Sequence, residues 1–140
     1  MKVLFLDIDG VLIPNAWLRD ARRESIFAPA AVGLLNQILS ATEAKIVVSS
    51  SWRIQHGIEG LRQLFTNEGV KGDLIGITPV LKRCRGEEIQ SWLAEHHDVQ
   101  DFVIVDDVDD MEHLSNRLVL IDSDLGLSTK DLELIVQRVS

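Results

Sequence analysis

The chain has 140 residues, 46% of them apolar and 26% charged, so it is one globular domain and neither a disordered protein nor a pair of domains. Fourteen Lys and Arg against 22 Asp and Glu leave a formal charge of −8, which argues against whole-molecule attraction to nucleic acid or acidic membranes and leaves only local basic sites. The single cysteine, Cys84, excludes an intrachain disulfide and points to a reducing compartment, the cytoplasm.

In chain order, Val3–Leu6 is the first apolar run. Asp7 and Asp9 interrupt it too early for a signal peptide, and no later run approaches the ~18 residues of a membrane span. Pro29 opens a helix with an apolar stripe of Ala31, Val32, Leu34, Leu35, Ile38 and Leu39. Ile46–Val48 is a second strand-like run. The stretch from Gly57 to Leu81 is the least determined; Gly69–Asp73 marks a turn and Leu74–Ile77 a fifth strand. Gly86 precedes a helix with Glu87 and Glu88 where a helix N-terminus favours acids. Phe102–Val105 and Leu118–Ile121 are two more strands, and Ser128 or Thr129 caps a last helix carrying Leu132, Leu134, Ile135 and Val139. Short continuous apolar runs are strands buried on both faces, and their alternation with helices predicts an α/β fold, a mainly parallel open sheet covered on both sides. Residues 1–140 read as a single domain with no linker or repeat.

In such a sheet ligands bind beyond the carboxyl ends of the strands, where Asp7 and Asp9 fall. Two carboxylates at a buried strand end repel and need a cation or a shared proton. Asp106-Asp107-Val108-Asp109-Asp110 ends another strand, so two acidic clusters make a hard, oxygen-rich site suited to Mg²⁺. Asp109 and Asp110 alone read as a solvated charge run. Gly10 permits a sharp turn or the close approach of a ligand. After the second strand, Ser49-Ser50-Ser51 supplies hydroxyls and N–H groups for phosphate oxygens, or equally helix caps. A carboxylate nucleophile, a carboxyl acting as acid then base, Mg²⁺ and hydroxyl clamps together constitute covalent phosphoryl transfer. A cation for the phosphate comes from Lys82, Arg83 or Arg85.

These residues resemble the motifs of the haloacid dehalogenase (HAD) superfamily of phosphatases. Asp7-Ile8-Asp9-Gly10-Val11-Leu12 resembles its first motif, Ile46-Val47-Val48-Ser49 its second, and Val103–Asp110 its fourth, in the family's order and over nearly the whole chain. Ser50-Ser51-Trp52-Arg53, Arg85-Gly86-Glu87-Glu88-Ile89 and Asp106–Met111 resemble, more narrowly, small phage and bacterial HAD proteins related to the HAD domain of Swiss Army Knife RNA-repair proteins. The resemblance implies a three-layer Rossmann-like fold, with Asp7 as nucleophile and Asp9 as general acid and base. It implies Mg²⁺ on Asp7, the Asp9 carbonyl and Asp106, with Asp107 or Asp110 in support. Ser49, or Ser50 if the register slips by one, would hold the phosphoryl group. The departure is the third motif, normally a lysine: Arg85 precedes Gly86, and Lys82 lies three residues earlier. Arg53 is a candidate substrate contact, whereas His56 reads as surface or packing.

No cap domain fits between Gly10 and Ile46 or between Trp52 and the basic cluster, so an open site is expected. Asn15–Phe27, with Trp17, Arg19, Arg22 and Arg23, forms a flap whose aromatic and basic groups could stack a base and contact phosphate, or simply an amphipathic hairpin or helix. The expected activity is a Mg²⁺-dependent phosphomonoesterase acting on nucleotides or polynucleotide ends. The alternatives are a small-metabolite phosphatase and a catalytically weak module that binds Mg²⁺ and a phosphorylated partner. The expected partner is thus a phosphorylated substrate rather than a membrane, and an oligomer is compatible with an open site.

Overall fold

A computed structural model describes residues 1–139. The described residues form five strands, β1 (Lys2–Leu6), β2 (Lys45–Val48), β3 (Leu74–Ile77), β4 (Asp101–Asp106) and β5 (Leu118–Leu120). They make one sheet in the order β3-β2-β1-β4-β5, and every neighbouring pair is parallel. Between them run α1 (Asn15–Leu18), α2 (Pro29–Thr42), α3 (Trp52–Asn67), α4 (Arg85–Ala94), a 3₁₀ segment (Glu112–Arg117) and α5 (Thr129–Val139).

The three central strands carry apolar residues at every inner position because both faces are covered. Leu4, Leu6, Ile46, Val48, Val103 and Val105 join the core formed with α2, α3 and α5, where Leu35, Ile38, Leu61, Phe65 and Ile135 meet them. The alternate residues Val3, Phe5, Val47 and Ile104 pack on the opposite face against Ile89 and Trp92 of α4, with Met111 and Leu114. Phe5 meets Trp92 edge-on at 5.5 Å, and its burial contributes on the order of 2 kcal/mol. The edge strand β5 departs from the continuous pattern: Leu120 is exposed. This is the three-layer Rossmann-like architecture, and no large cap is inserted in it.

Two details go beyond the sequence expectation. The undetermined stretch begins inside the 16-residue α3, which is interrupted at Gly57, whose φ of 64° and ψ of 175° are not helical. Its inward stripe joins the buried Leu61 and Phe65 to the partly buried Ile58 and Leu64, and the break at Gly57 interrupts the helical phase. In α5, Leu134 is exposed while Ile135 and Val139 face inward. Ser128 caps that helix, its hydroxyl accepting from the Asp131 N–H at 3.3 Å and the Asp131 carboxylate accepting from the Ser128 N–H at 3.0 Å.

The strand order sets the site. From β1 the chain moves outward to β2 and β3, then returns to β4 on the other side of β1 and continues outward to β5. The crevice at this reversal, beyond the carboxyl ends of β1 and β4, is where open α/β sheets bind ligands.

Candidate active site

Asp7 and Ser49 prolong the sheet by one row. The Asp7 N–H donates to the Val105 carbonyl at 3.0 Å, and the Ser49 N–H donates to the Leu6 carbonyl at 3.1 Å. Leu6 pairs with Val48 and Val105, so the next row aligns Ser49, Asp7 and Asp106. Side chains alternate along strands, and the Leu6 row faces α2, α3 and α5; the Asp7 row therefore faces α4.

At that face stands Arg85, the first residue of α4. Its Nη1 lies 2.7 Å from Asp106 Oδ2 and 3.3 Å from Asp7 Oδ1. The start of α4 is fixed by the acidic loop after β4: the Gly86 N–H donates to the Asp110 carbonyl at 2.9 Å, and the Arg85 N–H to Asp110 Oδ2 at 3.3 Å. A Cβ on Gly86 would stand 2.3 Å from the Met111 carbonyl oxygen, so only glycine lets the helix end approach that closely. Asp110 thus anchors a helix, whereas Asp107 joins the carboxylate cluster. Ligand oxygens of Asp7, Asp106 and Asp107 lie within 4.8 Å of one another. Gly10 makes room for this: its φ is +78°, and a Cβ there would stand 2.2 Å from Asp107 Oδ2.

Three carboxylates face one guanidinium. Burial pushes the Asp7 carboxyl up to about 8, the neighbouring Asp106 charge adds to the rise, and Arg85 opposes it. Burial likewise raises Asp106 against the pull of Arg85. Burial opposes the Arg85 charge, but Asp106 and Asp7 outweigh it and hold the guanidinium firmly protonated.

The two serines separate by their partners. Ser50 Oγ accepts from the Trp52 N–H at 3.2 Å and so serves the start of α3, while the buried Ser49 Oγ has no hydrogen-bond partner among the described residues. Thr78, which follows β3, has a buried hydroxyl in the same condition.

The family model for the HAD domain in Swiss Army Knife RNA repair proteins matches residues 3–132. The chain belongs to this family. Among curated proteins no similar sequence was found. The family makes this HAD domain a phosphatase-type hydrolase. Asp7, Ser49 and Asp106, the residues whose sequence context resembles HAD motifs, fall in one row of the sheet.

The residues of this HAD domain fit a divalent cation. The donor set is all oxygen, and the carboxylates exceed the guanidinium charge at a place where burial disfavours both buried acids. The acidic side chains brought together are Asp7, Asp106 and Asp107. The Asp9 carboxylate is not in that cluster; it is exposed, and its Oδ2 accepts from the Trp52 indole N–H at 3.1 Å. Sequence reasoning did not place Trp52 in the site. The one available signal was its position directly after the serine run.

Arg53 is not placed to meet a substrate. It is buried, and each of its five N–H donors has an internal acceptor: the carbonyls of Ser49, Ser50, Thr78 and Pro79, and Glu88 Oε1 at 2.9 Å. Glu88, expected as an acid at a helix start, is buried in this pair and also accepts from the Leu81 N–H at 2.8 Å. Lys82 is exposed, at a φ of 57°, and makes no ion pair among the described residues.

In the flap, Trp17 packs against the core and its indole N–H donates to the Ile26 carbonyl at 3.1 Å. Arg23 Nη1 donates to the carbonyls of Leu18 and Asp20, and the exposed Arg22 pairs with Asp20 at 3.5 Å. These side chains hold the flap's own shape; Trp17 is committed to closing it rather than to stacking a base. His56 is exposed and lies parallel to Trp52 at 5.2 Å. Among the described residues no helix is long and apolar enough to cross a membrane.

Proposed function

We propose that this HAD domain is a Mg²⁺-dependent phosphomonoesterase that works through an aspartyl-phosphate at Asp7, on nucleotides or polynucleotide ends. The observation that carries the reading is Arg85 Nη1 within 3.3 Å of Asp7 and 2.7 Å of Asp106 at the sheet's reversal. A cation confined beside the nucleophile is what a phosphoryl dianion needs to approach a carboxylate.

Asp7, Asp106 and Asp107 would hold the Mg²⁺. The resemblance to HAD phosphatases adds the Asp9 carbonyl. Bound there, the ion keeps the two buried carboxyls ionised and offsets phosphoryl charge. Arg85 and the unpartnered Ser49 hydroxyl hold the phosphoryl oxygens. An Asp7 oxygen attacks phosphorus, the bond from phosphorus to the ester oxygen breaks, and Asp9 gives its proton to that oxygen. The Asp9 carboxylate then takes a proton from water, whose oxygen attacks phosphorus. The bond between Asp7 and phosphorus breaks, releasing inorganic phosphate and restoring both residues. The Trp52 N–H holds one Asp9 oxygen and leaves the other for the proton.

Phosphate release from a panel of aryl phosphate, mononucleotides, sugar phosphates and end-phosphorylated oligonucleotides, with Mg²⁺ or EDTA, tests this. Turnover is expected with Mg²⁺ only, and Asp7→Asn is expected to fall below about a tenth of wild type because an amide does not attack phosphorus. Mg²⁺ binding without turnover on any member would replace the phosphatase with a phosphate-binding module.

A further inference from the structure

The motif residues account for the phosphoryl group and leave unexplained where the rest of the substrate sits. In-line transfer puts the leaving oxygen opposite the attacking Asp7 carboxylate, on the side of the acid that protonates it. On that side a cavity of about 610 Å³ is lined by Asp9, together with Ile13, Leu18, Ile26 and Trp52, while Asp7 is not part of its wall. This is the size of ordinary small-molecule sites. Leu18 and Ile26 are about half exposed, at 51% and 48%, although both stand on a flap whose polar groups bond among themselves. Trp52 links the wall to the chemistry, since its indole N–H is the one bound to Asp9.

The charge of this cavity is opposite to that of the phosphate clamp. Asp9, Glu24 and Glu68 supply three carboxylates, Glu68 accepting from the Phe27 N–H at 2.6 Å, against the one guanidinium of Arg23, which already donates to two backbone carbonyls. A second phosphate would be repelled there, and a sugar alone would leave Leu18 and Ile26 wet. An uncharged planar group fills apolar walls beside an indole, and amino groups on its edge suit an acidic rim. The flap itself supplies the walls and no stacking ring, so Trp52 is the one aromatic face.

We propose that the cavity between the flap and Trp52 is the leaving-group subsite, and that it takes the nucleoside moiety of the substrate, preferentially one with an amino-bearing base. The proposal rests on the phosphatase reading for its orientation, and its test separates the two. In the first arm, kcat/KM is measured for nucleoside monophosphates, a dinucleotide with a terminal phosphate, and glycerol phosphate, whose leaving alcohol is similarly poor. Wild type is expected to prefer AMP or CMP over glycerol phosphate by about tenfold or more, as burial of a base in an apolar pocket gives. Leu18→Asp and Ile26→Asp, both in the wall of the subsite, are expected to abolish that preference, read as the ratio of the AMP to the glycerol phosphate kcat/KM within each variant. The dinucleotide distinguishes a free nucleotide from a strand end as the source of the nucleoside.

The second arm needs no turnover: the Trp52 indole N–H resonance is followed while adenosine, cytidine or ribose is added. Saturable shifts with the nucleosides, lost in Leu18→Asp, are expected, with none from ribose. Shifts without turnover on any phosphate would keep the subsite and remove the phosphatase reading. Equal kcat/KM for AMP and glycerol phosphate in wild type, or no indole shift, overturns the subsite.

Discussion

Replacing Arg53 by methionine separates a structural brace from a substrate contact. The guanidinium is 4% exposed and ends in five hydrogen bonds, four to carbonyls of the β2–α3 and β3–α4 connections and one to Glu88. Arg53→Met leaves the Glu88 carboxylate, itself 9% exposed, without its cation and four carbonyls without their donor. Removing one partner of a buried ion pair costs about 3–5 kcal/mol. For a domain of this size that lowers the melting temperature by about 10–15 °C. Thermal unfolding followed by circular dichroism reads this directly, alongside phosphate release well below the transition. A melting point within about 3 °C of wild type together with a tenfold rise in KM would refute the brace and restore Arg53 as a substrate contact. Adding Glu88→Leu to Arg53→Met is expected to recover part of the loss, since the stranded charge goes with it.

Arg85→Ala is expected to lower kcat by about 10²–10³, and Lys82→Ala to leave it within about twofold; the reverse order in a phosphate-release assay would return the clamp to Lys82. Asp7 ionises at about 8 in the metal-free fold, above an ordinary carboxyl, so the folded state keeps a proton that the unfolded chain loses at lower pH. Metal-free stability should therefore fall as pH rises from about 4 to about 8, and the melting-point gain from Mg²⁺ should be larger at pH 8 than at pH 6; a gain independent of pH would detach Asp7 from the ion. Gly86→Ala is expected to cost about 1–3 kcal/mol in urea unfolding, because its Cβ meets the Met111 carbonyl, and an unchanged midpoint would show that the helix end shifts freely.

What the sequence disclosed follows burial. β1, β2 and β4 were legible because both faces are covered and the residues run apolar without a break. Asp7 and Asp106 were legible because charges directly after such runs have few bland explanations. α3 was hidden by Gly57, which breaks its phase, and which leucines of α5 face inward was not legible because helix phase cannot be read to a single residue. Arg53 and Glu88 look like surface groups in a string of letters; they lie 35 positions apart, and only the fold brings them together. Trp52 on Asp9 is a contact across 43 positions and carries no local signature. Asp107 and Asp110 share one acidic run, and only the turn into α4 decides which joins the carboxylates and which ties down the helix.

That tie has a mechanical side. Backbone and side chain of Asp110 grip the first two residues of α4, and the same loop carries Asp107 and continues directly from Asp106 at the end of β4. The cation proposed for the phosphate and the carboxylates proposed for the metal are therefore parts of one rigid body, with Gly86 as its contact point. A change in the loop shifts both together, so variants between Asp107 and Met111 should alter phosphate and metal affinity in parallel, and neither affinity can drift far without the other.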